Sequence, residues 1–250
     1  MNNKNIRIKS WNYILKSIKS SAALNIFSVI IAYFLYDIFF KISVVPGSLA
    51  LAMLGICMVG PLVVGMRDRG SSRLHSVGLT GIFSIASIYF LFGVTLYYFY
   101  FLFMPMPTFA RVLGTGVGVV LTIYWMIISA RDVNKALTTS RFIEQTFEDA
   151  GDVLHYKLAN MAKLERLLST RSPSGKFHMW LVILIAPFSL VLGRILSPHF
   201  GPNGPLFIAA LILFPVSQWL AGLMVRQYLV MIRLPITLER QSGKPVIVVE

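Results

Sequence analysis

The chain has 250 residues, of which 56% are hydrophobic and 13% are charged. Globular domains carry roughly 25% charged residues, so this composition excludes an ordinary soluble fold and indicates a protein that crosses a membrane several times. The net charge of +13 comes from lysines and arginines scattered between apolar segments, a distribution that is typical of membrane topology signals and gives no basic patch for nucleic acid.

Residues 1–20 are basic and precede the first apolar run. On a helix the apolar side chains of this segment share one face, with lysines beside them; they are Ile8, Trp11, Ile14, Leu15 and Ile18. This pattern predicts an amphipathic helix that lies in the membrane interface against anionic lipids. A disordered basic leader is the alternative. In either case the charges place the N-terminus in the cytoplasm.

The apolar runs are each long enough to cross the ~30 Å hydrocarbon core, which takes about 20 residues. They cover residues 21–40, 44–66, 77–104, 109–130, 177–196 and 206–224. The first run is too long for the core of a cleaved signal peptide, so it predicts a retained helix. The predicted fold is an all-α six-transmembrane-helix bundle. Its predicted regions are a basic amphipathic segment (1–20), a four-span membrane region (21–130), a cytoplasmic helical stretch (131–176), a two-span membrane region (177–224) and a cytoplasmic tail (225–250).

Small residues are concentrated in the second and fourth runs. They include Gly55 and Gly60 in the second run, while Gly114 and Gly118 form a GxxxG spacing in the fourth. Small side chains let helix backbones approach closely in lipid, so these glycines are candidate helix-packing positions and the second helix is expected at the centre of the bundle. The partner of the GxxxG face belongs to this chain or to a second copy, which leaves a homo-oligomer open.

The third run ends in a cluster of tyrosine and phenylalanine at residues 97–103. Such residues are enriched where a membrane helix meets the interface, because the ring is apolar and the tyrosine hydroxyl is polar. The cluster therefore predicts the outer end of this span. The alternative is an aromatic wall of a ligand site.

Residues 131–176 are the long polar stretch between the fourth and fifth runs. The fourth helix is expected to continue to about Glu148, with a break at Gly151. Beyond it, apolar residues recur at helical spacing, namely Leu154, Leu158, Met161, Leu164 and Leu168. They predict a cytoplasmic helical hairpin that either docks a protein partner or covers the inner mouth of its own bundle. The β-branched run at 246–249 suits a strand added to a partner's sheet, or a loose terminus.

All lysines and arginines except Lys41, Arg111 and Arg194 fall in segments on one side of the predicted bundle. The positive-inside rule therefore predicts an inner-membrane protein with both termini in the cytoplasm. On the outer side, Asp37 with Arg111 and Arg194 is a candidate polar cluster for an anionic headgroup or a solute path. The alternative is that Asp37 pairs with Lys41 and that both arginines extend to the membrane surface.

The sequence carries no recognisable catalytic motif. The four histidines are scattered, and neither a phosphate-binding loop nor a nucleophile elbow is present. Cys57 is the only cysteine, which excludes an internal disulfide and a multi-cysteine metal site. We therefore expect no metal and no cofactor.

The first functional hypothesis is a non-enzymatic inner-membrane subunit of a larger envelope assembly for secretion, export or transfer. Its cytoplasmic helices and tail would dock protein partners. The alternative is a small-solute transporter or channel. This hypothesis rests on Pro61, Pro187 and Pro215, which are expected to bend the helices that contain them. A lipid-modifying enzyme is the third hypothesis.

Overall fold

The computed structural model describes residues 3–68, 72–139, 142–157 and 203–249, together with Trp180, Ile183, Val191 and Ile195. Its helices are α1 (Asn3–Ala32), α2 (Val45–Arg67), α3 (Leu74–Tyr89), α4 (Phe99–Phe103), α5 (Thr108–Thr139), α6 (Phe142–Thr146), α7 (Asn203–Tyr228) and α8 (Leu234–Ser242). Wider π-helical segments continue α1 and join α3 to α4 and α7 to α8; they are Tyr33–Phe39, Phe90–Tyr98 and Leu229–Arg233.

The described chain is mostly helical, and five of its helical runs are long and apolar enough to cross a membrane. We call them spans one to four and the final span: Ile14–Phe39, Val45–Arg67, Leu74–Phe103, Thr108–Thr138 and Asn203–Ser242. They overlap the first four and the sixth of the predicted runs, and the first, fourth and final spans are longer than predicted. Within the predicted run 177–196, the structure describes only four helical, exposed positions. The rest of that run lies outside the described residues.

The first helix is a single element from Asn3 to Ala32, so residues 3–20 do not form a helix separate from span one. Ile14 and Ile18 are buried, and the Ser17 hydroxyl donates to the Thr80 carbonyl at 3.3 Å. This part of the helix therefore packs on span three. At Ile14 and Ile18 the predicted interfacial face therefore packs within the bundle, because an apolar helix face suits a neighbouring helix as well as it suits a lipid interface.

Spans one and three are joined by matching rows of small polar residues. The rows are Ser17, Ser21, Asn25 and Ser28 on span one and Ser76, Thr80, Ser84 and Ser87 on span three. Ser21 donates to Ser84 at 3.2 Å. Asn25 Nδ2 donates to Ser87 Oγ at 2.7 Å. Because the contacts advance along both helices together, the two spans run parallel and begin at the same end of the bundle.

The final span, rather than span two, is the most enclosed of the described spans. In its membrane window 56% of the residues are buried, against 22% in span two. The prediction that span two is central is therefore wrong, since Leu51, Ile56 and Val59 are each more than half exposed. Small residues allow a helix to approach on one face, but the remaining apolar side chains of span two face outward.

A three-stranded sheet lies beyond the ends of the spans. It consists of β1 (Phe147–Asp149), β2 (Leu154–Lys157) and β3 (Val246–Val249) in the order β1-β2-β3. β1 and β2 are antiparallel, and β2 and β3 are parallel. The Val248 N–H donates to the Ser72 carbonyl at 2.7 Å, so the turn between spans two and three joins the β3 edge. We call this end of the bundle the sheet end.

The all-α prediction and the predicted helical hairpin are wrong for residues 147–157. Leu154 begins a strand, while Leu158, Met161, Leu164 and Leu168 lie outside the described residues. A short apolar run fits a strand as well as a helix, and here the β-branched C-terminal run supplies a partner strand. Gly151, at φ +85°, turns the chain between β1 and β2.

The C-terminal region is helix and strand rather than a loose tail. The final span does not end near residue 224 but continues through the buried Arg226 to Ser242. Gly243, at φ +70°, ends the helix, and its N–H donates to the Glu239 carbonyl at 2.9 Å. Gly is favoured at such a left-handed helix end because it has no Cβ to clash. The chain then enters β3, which pairs within the same molecule.

An apolar core joins the sheet to the ends of the spans. Its fully buried members include Leu74 of span three, Val133 of span four, Val230 of the final span, and Tyr156 and Val246 of the sheet. We call this cluster the sheet-end core. Because it draws on spans and strands together, the sheet is part of the same packed body as the bundle.

Candidate functional site

Charged side chains line the outer part of the sheet end. Lys244 Nζ lies 2.7 and 2.6 Å from Oδ1 and Oδ2 of Asp149. Lys157 Nζ lies 2.8 Å from Glu148 Oε1. The hydrogen bonds from Lys244, followed by that from the Gly151 N–H, hold the pKa of Asp149 below its ordinary value. Lys244 precedes β3 and Asp149 ends β1, so this pair connects the two outer strands of the sheet.

Asp68 organises the turn between spans two and three. Its Oδ2 accepts a hydrogen bond from Ser76 Oγ and lies 3.7 Å from His75 Nε2. A nucleophilic triad needs the histidine between the carboxylate and the hydroxyl, whereas here both side chains contact the same carboxylate oxygen. The group therefore shapes the turn and does not activate Ser76.

The predicted polar cluster is not assembled from its described members. Asp37 lies partly buried in the π-helical end of span one. Arg111 lies near the start of α5, where its Nη2 donates to the Met104 carbonyl at 3.3 Å. Within the described ranges no ion pair joins Asp37 to Arg111, and none joins Asp37 to Lys41. Arg194, the third predicted member, lies outside the described residues.

The GxxxG face of span four packs on the aromatic end of span three. A Cβ at Gly114 would lie 2.1 Å from Phe101 Cδ1, and one at Gly118 would lie 2.5 Å from Tyr97 Cε1. The Tyr97 hydroxyl also donates to the Gly114 carbonyl at 2.9 Å. The partner of this face is thus a helix of the same chain, and the face needs no second copy to cover it.

The two candidate glycines of span two differ in their surroundings. A Cβ at Gly60 would lie 2.3 Å from Phe83 Cζ of span three, so a ring occupies the space that a side chain would need. At Gly55 no described atom lies within 4 Å of that position. Gly60 therefore permits a close contact with span three, and Gly55 makes none with the described helices.

A half-open cavity of about 320 Å³ lies at the end of the bundle opposite the sheet, beside the aromatic cluster. Its lining includes Tyr100, Phe101, Ala110, Asn203 and Phe207. We call this end the turn end, because the Pro105–Pro107 turn also lines the cavity. The aromatic cluster is mostly buried and packs as core, so it does not form a lipid-facing belt. It does form one wall of this cavity.

A polar network connects span three, span four and the final span, and the sequence analysis did not predict it. Gln218 Nε2 donates to Thr122 Oγ1 at 3.0 Å. The hydroxyls of Tyr98 and Thr122 are hydrogen-bonded at 2.9 Å. The Thr122 hydroxyl also donates to the Gly118 carbonyl at 2.8 Å. The sequence contained one sign of this network, which is the amide of Gln218 within an apolar run. A polar side chain in lipid needs a hydrogen-bond partner, so Gln218 predicts a polar contact with another helix.

No protein-family model matches the chain, and no curated protein or solved structure matches it. Throughout the part of the chain that the structure describes, no three His, Cys, Asp or Glu side chains lie close enough to hold a metal ion. Cys57 is buried, with its Sγ 3.8 Å from the Phe83 carbonyl. Among the described residues, the charged sheet end and the turn-end cavity remain as candidate sites.

Proposed function

We propose that the protein is a non-enzymatic, multi-pass subunit of a larger assembly in the inner membrane, and that the sheet end is its docking face. The observation that carries this proposal is the folded sheet itself. Segments that follow span two, span four and the final span meet there over a shared apolar core. A rigid surface of this kind reduces the ordering cost when a partner binds.

The outward face of the sheet is the best candidate surface. Successive side chains of a strand alternate between faces, so Glu148, His155 and Ile247, which are paired across the three strands, share the face opposite to the buried Tyr156. This face is partly or fully exposed and mixes charged and apolar groups. Leu154 instead packs against the sheet-end core. The other predicted docking residues, Leu158, Met161, Leu164 and Leu168, follow β2 along the chain and stay candidates.

We also propose six spans with both termini in the cytoplasm. β2 ends at the sheet end, whereas Asn203 begins the final span beside the turn-end cavity. The intervening chain has to connect the two ends, and its apolar run 177–196 has the length of a membrane span. The basic residues near the sheet end, including Arg73 and Lys244, favour the cytoplasm for that side.

Single-cysteine labelling tests this topology. In a Cys57→Ser background, Asp152→Cys and Ser242→Cys at the sheet end are expected to react with a membrane-impermeant thiol reagent from the cytoplasmic side. Thr108→Cys, an exposed position at the turn end, is expected to react from the outer side. If Thr108→Cys and Asp152→Cys reacted from the same side, the proposed arrangement would be wrong.

Photo-crosslinking in cells tests the docking proposal. A photo-reactive residue at Glu148 is expected to give an adduct of one defined mass with a protein that also copurifies stoichiometrically in mild detergent. Val120 is the matched control, because it is 65% exposed in the interior of span four, and it should give no such adduct. A protein that purifies alone and carries solute across liposome membranes would refute docking and support the transporter or channel.

A further inference from the structure

The turn-end cavity has the form of a site for an apolar chain. Its volume of about 320 Å³ is near the lower limit of the ~300–1,000 Å³ that small-molecule pockets occupy. The aromatic lining comes from span three and the final span, where Tyr100 and Phe207 pack on each other at a centroid distance of 5.7 Å and line the cavity together. One flexible hydrocarbon chain fits such a space, whereas a bulky polar solute would leave polar groups without partners.

Arg111 brings a positive charge to the margin of this cavity. Arg111 follows Ala110, which lines the cavity. Its Nη2 donates a hydrogen bond to the carbonyl of Met104, and the next residue, Pro105, also lines the cavity. Its buried Nε has no hydrogen-bond partner among the described residues, and none of them forms an ion pair with it. A partly buried guanidinium is costly unless it is paired, so this arrangement calls for an anion.

We infer that the turn end binds one membrane phospholipid, with an acyl chain in the cavity and its phosphate on Arg111. Guanidinium matches phosphate through paired hydrogen bonds, and the adjoining apolar space requires that the anion carry a hydrocarbon chain. A free phosphate would leave the cavity unfilled, and an uncharged lipid would leave Arg111 unpaired. This inference is independent of docking at the sheet end, because the two sites lie at opposite ends of the bundle.

Native mass spectrometry of the full chain with palmitoyl-oleoyl phosphatidylglycerol tests this site. Arg111→Gln is expected to weaken binding of one lipid about tenfold, which corresponds to ~1.4 kcal/mol. Arg111→Lys should lose less, because it keeps the charge but not the fork of donors. Ala110→Phe, which fills the cavity, should also weaken binding. Arg131→Gln is the matched control, since Arg131 is an exposed cation toward the other end of the same helix.

Competition separates the chemical classes. Diacylglycerol with the same chains should bind at least tenfold more weakly than the phospholipid, and inorganic phosphate should not displace the bound lipid. Native affinity in both Arg111→Gln and Ala110→Phe would overturn the proposal, as would equal binding of diacylglycerol. Displacement by inorganic phosphate would show a simple anion site instead. If Arg111→Gln does not fold, the lipid affinities of Ala110→Phe and Arg111→Lys are compared with that of the native chain instead.

Discussion

Gly78→Ala is expected to destabilise the bundle by roughly 1–3 kcal/mol or more, which is the usual cost of overpacking a tight contact. A Cβ at this position would lie 2.8 Å from both the Cβ and the carbonyl oxygen of Met231. A backbone oxygen cannot be moved by rotating a side chain, so span three and the final span would have to separate. Met231 lies in the π-helical segment of the final span, so this contact joins two buried elements.

Thermal unfolding in detergent, followed by the helical circular dichroism signal, measures this effect. Gly116→Ala is the matched control, because Gly116 also lies in a long apolar helix but no described atom of another element lies within 4 Å of its Cβ position. That variant is expected to be as stable as the native chain or slightly more stable, since alanine favours helix over glycine by ~1 kcal/mol. Equal unfolding temperatures for Gly78→Ala and Gly116→Ala would contradict the close contact.

Tyr156→Ala is expected to destabilise the sheet end by ~3–5 kcal/mol, the range for removing a large aromatic side chain from a core. Tyr156 is fully buried in the sheet-end core, and its ring lies 5.1 Å from that of Phe147. The alanine would leave a void between the sheet and the spans. Hydrogen exchange should therefore rise in residues 147–157 and 246–249, while the buried part of span three stays protected.

Tyr156→Phe separates the ring from the hydroxyl. Burial raises the pKa of Tyr156, so the hydroxyl stays neutral, and it has no hydrogen-bond partner among the described residues. Removing it should cost nothing, since an unpaired buried polar group is itself unfavourable. If Tyr156→Phe lost as much protection as Tyr156→Ala, the hydroxyl rather than the ring would carry the stability of the sheet.

Local patterns predicted the spans well and their arrangement poorly. Each apolar run is visible in about 20 successive residues, which is why the positions of the five described spans followed from sequence. The rows that begin at Ser17 and Ser76 were equally visible, yet their matching required knowledge that spans one and three are neighbours. Gly114 and Gly118 marked a close approach, but the rings of Phe101 and Tyr97 that they meet are specified only by the packed bundle.

The sequence by itself determined that the chain has several runs long and apolar enough to cross a membrane and that its charges are unevenly distributed. Both properties depend on the transfer of single residues or short segments between water and lipid, and no fold is needed to state them. The tertiary structure alone decided that residues 147–157 form strands. Lys244 and Asp149, which connect the outer strands, are 95 residues apart in sequence. The tertiary structure also decided that Ala110, which precedes Arg111 in sequence, lines an apolar cavity. Strand pairing and cavities arise from contacts between distant segments, which local periodicity does not contain.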